Sequence, residues 1–165
     1  MGRIVTFYDT PQEARRDAAT RGLREKVVCF VTRAGSSGPE LLVFDHVPDG
    51  GAGVQVVAGG VEPGETPERA ATRELHEESG LSLTNLTFLA SYLWEAQLPE
   101  RFTRQVCHAY ALTAPAGTPD TWDHLAEGRY TFRFRWAPLH APGLDWEMDA
   151  ALPHLDQLLH KELQA

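Results

Sequence analysis

Cysteine and long apolar stretches are both scarce in this sequence of 165 residues. Only Cys29 and Cys107 are present, in apolar contexts and without the spacing of a metal site. We therefore expect two buried thiols in a reducing compartment, and a disulfide is the less favoured alternative. No apolar run is long enough to span a bilayer, and residues 1–17 lack the apolar core of a signal peptide. The expected location is cytoplasmic, with no membrane partner.

Positive charge is also in short supply. Lys and Arg total 15 against 23 Asp and Glu, which gives a formal net charge of −8. Because a nucleic-acid backbone is bound by clustered basic residues, this balance argues against long nucleic acid as a partner. A small phosphorylated substrate is compatible with it, since divalent metals reverse the local sign of an acidic site. The length and the 42% hydrophobic content predict one domain over residues 1–165.

The most informative stretch covers residues 59–81, with the sequence GGVEPGETPERAATRELHEESGL. Its first six residues hold three glycines and a proline, so the backbone can turn tightly and approach a ligand closely. A helix is predicted to follow, with Thr66 as its N-cap, Pro67 at its first position and Gly80 at its end.

One side of this predicted helix carries three carboxylates. At about 100° per residue, Glu74, Glu77 and Glu78 fall within an arc of roughly 100°. Leu75 lies beside that arc and packs inward, whereas Ser79 is expected to point away. Three crowded carboxylates repel one another unless cations lie between them, and hard oxygen ligands suit Mg²⁺ or Mn²⁺. An ordinary solvated helix face is the alternative.

The whole stretch resembles the Nudix box. The resemblance rests on Gly59, on Glu65 and on residues 73–81, RELHEESGL. It implies an α/β/α sandwich with a mixed β-sheet, and a hydrolase that cleaves nucleoside diphosphates linked to another group with a bound divalent metal. Carried over to this sequence, it implies metal ligation by Glu74, Glu77, Glu78 and the main-chain carbonyl of Ala58, with Arg73 and Glu65 as the residues that orient them.

The rest of the chain predicts elements that agree with this fold. A capping box at Thr10 opens a helix that ends near Gly22. Residues 114–128 are expected to form a long loop, and residues 144–163 to be mostly helical. Strands are predicted from β-rich runs at residues 26–33, 40–46, 54–58, from 87 onward, 105–113 and 130–139.

Catalysis needs a general base, which the resemblance places on a box glutamate or on a downstream loop. Glu74 and Glu77 are the catalytic candidates in the box, and Glu127 is our choice on the loop. For each loop carboxylate taken singly, a solvated side chain is the more common explanation. The other carboxylates at suitable positions are Asp120, Asp123, Glu95 and Glu100.

Aromatic and histidine side chains are the candidates for substrate binding. Trp94 or Trp122 would stack on a nucleobase, although tryptophan is more often a core residue. His124 would donate to a phosphate. The substrate stays broad, either a nucleoside diphosphate derivative or a nucleoside triphosphate. The proline that ADP-ribose pyrophosphatases place after the box is absent: Gln97 stands there, and Pro99 follows two residues later.

Two other functions compete with hydrolysis. A Nudix domain that senses a nucleotide without cutting it typically loses box carboxylates, and all of them are present here. An isomerase of the same fold relies on a catalytic cysteine, and neither Cys29 nor Cys107 has a matching polar context. The expected partner is therefore a small nucleotide, and a homodimer stays open.

Overall fold

The computed structural model describes residues 2–48 and 50–164 and contains a mixed β-sheet with helices on both faces. The helices are α1 (Pro11–Arg21), α2 (Pro67–Ser79) and α3 (Leu152–Gln164). The strands are β1 (Arg3–Phe7), β2 (Arg24–Gly35), β3 (Gly38–Val47), β4 (Val57–Gly60), β5 (Thr87–Gln97), β6 (Phe102–Thr113), β7 (Trp122–Ala126) and β8 (Tyr130–Pro138). This architecture confirms the predicted fold class.

The strand β2 places the box at the middle of the sheet. It lies at the centre of the order β1-β5-β6-β2-β3-β8-β7 and pairs in parallel with β6. Residues 32–35 of β2 pair antiparallel with β3, whereas its first half pairs antiparallel with β4, where Lys26 lies opposite Gly60. The segment that precedes α2 is therefore held by hydrogen bonds to the central strand.

Alternate residues of β2 enter two separate cores, because successive side chains of a strand point to opposite faces. Val27 shares one core with Leu75 of α2, and Val28 shares the other with Leu155 of α3. Ala14 of α1 joins Val106 in a smaller cluster. The sheet is thus covered on both sides, and α2 is held by a continuous apolar layer.

Several boundaries differ from the prediction. Residues 122–126 of the expected loop form β7, because they pair antiparallel with β8. Residues 144–151 are turns that precede α3, since Trp146 and Glu147 have left-handed φ angles of 62° and 52° that end any helix. The edge strand β1 was not predicted. Ser79 is buried, where it was expected to point away, and its hydroxyl donates to Leu75 O at 2.6 Å.

Both cysteines are free and buried, as predicted. They lie in different cores, Cys29 on the α2 side and Cys107 on the α3 side. Burial raises the pKa of Cys107 to about 11. Within residues 2–48 and 50–164, no helix has the length and apolar character needed to cross a membrane.

The packing of α2 leads to a first prediction. Leu75 is fully buried, so Leu75→Ala should lower the free energy of unfolding by about 2–5 kcal/mol through lost contacts and a cavity. Leu163, which is 83% exposed, is the matched control, and Leu163→Ala should change it by less than about 0.5 kcal/mol. Urea unfolding of both variants measures this, and equal losses would contradict the packing described.

Candidate active site

The box helix α2 begins and ends where the sequence predicts. The Thr66 hydroxyl accepts a hydrogen bond from Arg69 N–H at 3.2 Å, and Pro67 occupies the first helical position. Gly80 closes the helix with a left-handed φ of 81°, and its N–H donates to His76 O at 2.9 Å. All three box carboxylates therefore lie within one capped, regular helix.

The three box carboxylates lie side by side next to β4. Glu74 is only 7% exposed and lies against Gly59, where an added Cβ would come within 2.1 Å of the Glu74 Cδ. Glu78 Oε1 accepts a hydrogen bond from Ala58 N–H at 3.3 Å. Glu77 is exposed. A larger residue at position 59 would therefore displace the Glu74 carboxylate.

Arg73 ties these carboxylates to the loop before the helix. Its Nε and Nη2 donate to the two oxygens of Glu65 at 2.8 and 2.9 Å. Its Nη1 donates to Glu74 at 2.8 Å and to Glu77 at 3.2 Å, while Nη2 also donates to Gly60 O at 2.9 Å. The guanidinium therefore compensates the charge of three carboxylates, Glu65, Glu74 and Glu77, at once.

Burial and charge separate the pKa values of these acids. Burial raises the pKa of Glu78 to about 9, and the nearby Glu74 carboxylate acts in the same direction. Burial also raises the pKa of Glu74 despite its bond to Arg73, so desolvation outweighs that ion pair. The Arg73 guanidinium instead lowers the pKa of Glu65 to about 2. The cluster therefore favours a cation that can replace lost water.

The donors present fit a divalent metal. Mg²⁺ and Mn²⁺ prefer carboxylate and carbonyl oxygens, and Glu74, Glu77 and Glu78 provide them on one side of α2. The Glu74 carboxylate lies against Gly59, and therefore next to the main chain that follows Ala58. Within the described residues, no three acidic, histidine or cysteine side chains already converge on one point, since Arg73 holds Glu74 and Glu77.

Trp122 and His124 of β7 lie at the C-terminal end of the box helix. Trp122 Nε1–H donates to Ser79 O at 2.9 Å, and its ring stacks on Phe134 with centroids 5.0 Å apart. His124 Nε2 lies 3.1 Å from Glu77 O, which makes it the donor to that carbonyl. These two residues, predicted as substrate contacts, therefore use their N–H groups to satisfy carbonyls of α2.

Trp94, the other predicted stacking residue, lines a cavity of about 300 Å³ on the α3 face of the sheet. Its Nε1–H donates to Glu147 at 2.8 Å, and Trp146 in the same wall donates to Ala52 O at 2.9 Å. Lys26 also lines the cavity and lies opposite Gly60 in the β2–β4 pairing, so the cavity and the box share one strand pair.

The roles of Trp146, Glu147 and Lys26 in the cavity wall were not predicted from the sequence. Residues 144–163 are predicted to be mostly helical, and this prediction leaves out the turn that brings Trp146 and Glu147 to the cavity. The available signal was Gly143 directly before this segment, because its left-handed φ of 72° starts the turn. Lys26 carried no local signal, since a lysine at the start of a strand is ordinary.

The proposed base Glu127 is exposed in the turn between β7 and β8, with a φ of 55°. Within residues 2–48 and 50–164, no hydrogen bond or ion pair joins it to the box. Three of the alternative carboxylates have a basic partner: Asp120 pairs with Arg33, Asp123 of β7 with Arg133, and Glu95 of β5 with Arg104. Glu95 was expected in a loop but lies on β5, because residues 87–97 pair with β6.

Three cations border the cavity and the start of the box without a partner of their own. Lys26 and Arg101 line the cavity, and the Nη2 of Arg24 lies 2.9 Å from where a Cβ on Gly60 would be. In the parts of the chain that the structure describes, none of the three forms an ion pair. An acidic cluster thus lies on one side of the β2–β4 pair, and three cations without an ion pair among the described residues lie on the other, where the charge of Lys26 still attracts the Glu78 carboxylate.

Comparison with known proteins identifies related sequences. A family model described as the NUDIX domain matches residues 11–159. The NAD-capped RNA hydrolase NudC of Yersinia pestis (strain Pestoides F) is 44% identical over 57 residues. Those residues are 34% of this chain and 22% of that protein, so the chain matches less than a quarter of the relative's length.

Solved structures share the fold at low identity. The NUDIX domain of Shewanella oneidensis NrtR complexed with ADP ribose has a TM-score of 0.60 at 12% identity, covering 91% of this chain and 99% of that chain. A binary complex of the C. elegans Ap4A hydrolase has a TM-score of 0.59 at 18% identity, covering 84% and 99%. The Bacillus subtilis pyrophosphohydrolase BsRppH has a TM-score of 0.55 at 19% identity, covering 94% and 90%.

The contact between Gly59 and Glu74 leads to a second prediction. A Cβ at position 59 would collide with the Glu74 carboxylate, so Gly59→Ala should lower the free energy of unfolding by about 1–3 kcal/mol. Gly2→Ala is the control, because a Cβ there meets nothing within 4 Å. Chemical denaturation of the two variants measures the difference, and a neutral Gly59→Ala would disprove the close approach.

The bond from Arg73 to Glu65 leads to a prediction about pH. Since it lowers the pKa of Glu65 to about 2 from 4.5, Glu65 stabilises the fold above pH 4.5, and this contribution is lost as the pH falls towards about 2. Glu65→Gln should cost about 1.5–3 kcal/mol near neutral pH, and this cost should shrink through that acid range. Urea unfolding at several pH values tests it, with Glu162→Gln as the control for a surface carboxylate. A cost independent of pH would contradict the prediction.

Proposed function

This chain belongs to the Nudix hydrolase family, and from that premise we propose that it is a metal-dependent pyrophosphohydrolase. Its substrate is a nucleoside diphosphate derivative or a nucleoside triphosphate, cleaved at the diphosphate linkage. The observation that carries the proposal is the division of charge across the β2–β4 pair. Box carboxylates lie on one side, and a cavity with Lys26, Arg101 and two indoles lies on the other.

The metal site is proposed on Glu74, Glu77, Glu78 and the main-chain carbonyl of Ala58, with Mg²⁺ as the ion and Mn²⁺ as a substitute. When bound, such an ion would neutralise diphosphate oxygens and lower the pKa of an attacking water. Arg73 and Glu65 support the carboxylates in this proposal, since their ion pair sets where Glu74 and Glu77 point.

The chain's own residues account for substrate binding. Lys26 and Arg101 offer unpaired charge to phosphate oxygens, and Arg24 extends this charge towards Gly60. Trp94 and Trp146 offer faces on which a nucleobase can stack. Both indoles have their N–H groups bound to protein oxygens, so their orientation is set before a ligand enters.

Proton transfer is proposed for a box glutamate. Glu77 is exposed, and among the described residues its carboxylate forms an ion pair only with Arg73, so it can meet a water at the substrate. Glu127 stays the second candidate, at the tip of the hairpin whose His124 lies against the end of α2. Trp122 and His124 are proposed to hold that helix end and the hairpin together beside the substrate.

The names of similar proteins widen the substrate panel. They mention Ap4A, ADP ribose and NAD-capped RNA. The net charge of −8 argues against binding along a long phosphate backbone. A capped RNA is still compatible with this charge, because only the nucleotide cap at its end would need to bind. A cytoplasmic location and a homodimer remain predictions.

The site assignment makes a fourth prediction. Glu77→Gln should lower kcat for Mg²⁺-dependent hydrolysis by about 10²–10⁴-fold, because the carboxylate is both a proposed ligand and the proposed base. Circular dichroism should be unchanged, since Glu77 is exposed. Glu162→Gln on α3 is the matched control and should keep wild-type turnover.

The assay would screen nucleoside triphosphates, nucleotide sugars, dinucleoside polyphosphates, ADP-ribose and a short NAD-capped RNA with Mg²⁺, with Glu127→Gln run in parallel. Phosphate released after phosphatase treatment reports cleavage. Retained turnover in Glu77→Gln would rule out its role. Tight binding of one compound without any cleavage by the wild type would favour the nucleotide sensor.

A further inference from the structure

A buried hydrogen-bond network lies behind the loop of residues 61–65, which precedes α2, and takes no part in the site described above. Ser91 on β5 and His108 on β6 are 2% and 0% exposed, and Ser91 Oγ lies 2.7 Å from His108 Nδ1. His108 Nε2 lies 2.9 Å from Glu25 Oε1 on β2. Serine, histidine and glutamate also form hydrolytic triads, but here burial closes Ser91 and His108 to any substrate.

The surroundings of His108 determine where the protons of this hydrogen-bond network lie. Burial lowers the pKa of His108, so its ring is neutral at neutral pH. Since a carboxylate only accepts, His108 Nε2–H donates to Glu25 and Nδ1 accepts from the Ser91 hydroxyl. Each polar atom of the two buried side chains then has a partner, and the Glu25 carboxylate is held in one orientation.

Glu25 reaches the box loop by two routes. Its main-chain oxygen accepts a hydrogen bond from Val61 N–H at 2.9 Å. Its carboxylate accepts from Arg15 Nε of α1 at 3.0 Å, and Nη2 of the same guanidinium donates to Glu65 O at 3.4 Å. The interior of the sheet is therefore connected to both ends of residues 61–65.

Glu65 connects this network to the box carboxylates through Arg73. Its carboxylate binds Arg73 through both oxygens, and Arg73 in turn donates to Glu74 and Glu77. The loop also closes on itself, because Glu62 N–H donates to Glu65 Oε1 and Glu65 N–H donates to Glu62 O, both at 3.0 Å. A shift of Glu65 would therefore move the guanidinium that sets the box carboxylates.

We propose that Arg15 and Glu25 are positioning residues for hydrolysis, acting through Glu65 and Arg73 on the box carboxylates, while His108 holds the Glu25 carboxylate in place. The inference rests on the proposed function. A role in folding alone would cost stability without changing kcat per folded molecule. A positioning role changes kcat and leaves KM alone, since none of the three lines the substrate cavity.

The test compares Arg15→Gln and Glu25→Gln with the wild type on the best substrate of the panel. We expect kcat to fall by about 10- to 100-fold with KM unchanged, and Arg15→Lys to recover part of the loss. A second readout needs no turnover: amide hydrogen exchange of Glu62 and Glu65 in metal-free protein should accelerate in both variants. Arg21→Gln is the matched control, because Arg21 lies on the same helix and pairs with Asp17 instead.

The outcomes separate this inference from the proposed function. Wild-type kcat in Arg15→Gln and Glu25→Gln, with an active wild type, overturns the positioning role whatever the exchange rates show. If the wild type cleaves nothing in the panel, the proposed function fails, and the exchange rates alone decide. Unchanged exchange at Glu62 and Glu65 then overturns the link from α1 to the loop, and faster exchange in both variants supports it.

Discussion

The ion pairs of Arg73 are the constraint on which the acidic helix depends. Three glutamates share one side of α2, and without a cation among them their repulsion would force the side chains apart. One guanidinium binds Glu65 through two oxygens and reaches Glu74 and Glu77 with its remaining nitrogen. The same residue also bonds Gly60 O. Loop, strand and helix are thereby held in one arrangement before any ligand enters.

The proposed reaction needs both a metal-binding group and a substrate-binding group, and these lie on opposite faces of the sheet. On the α2 face lie carboxylates whose burial raises the pKa of Glu78 and makes a cation favourable. On the α3 face lie Lys26 and the indoles of Trp94 and Trp146. Lys26 is paired with Gly60 across β2 and β4, so only one strand pair separates them. A diphosphate bound at this edge would meet positive charge from both sides once the acidic side holds a metal.

Local information accounts for what the sequence predicted well. The caps Thr66 and Gly80 and the carboxylate spacing depend only on neighbours within residues 59–81. β7 was missed because its partner β8 decides it, and no periodicity marks residues 122–126. The turn at Trp146 was missed because its left-handed backbone is unusual for such a residue. Trp122 stays a predicted substrate contact, and the bond from its N–H to the end of α2 was not predicted, because only the folded chain creates that contact.

The central claim is that the carboxylates arranged by Arg73 form a divalent-metal platform. Titration of the metal-free protein with Mg²⁺, followed by carbon-13 NMR of the glutamate carboxyl groups, tests this claim without requiring a substrate. We expect saturable shifts of Glu74, Glu77 and Glu78, with Glu162 on α3 unchanged. Shifts that never saturate, or that are equal at Glu162 and in the box, would contradict it.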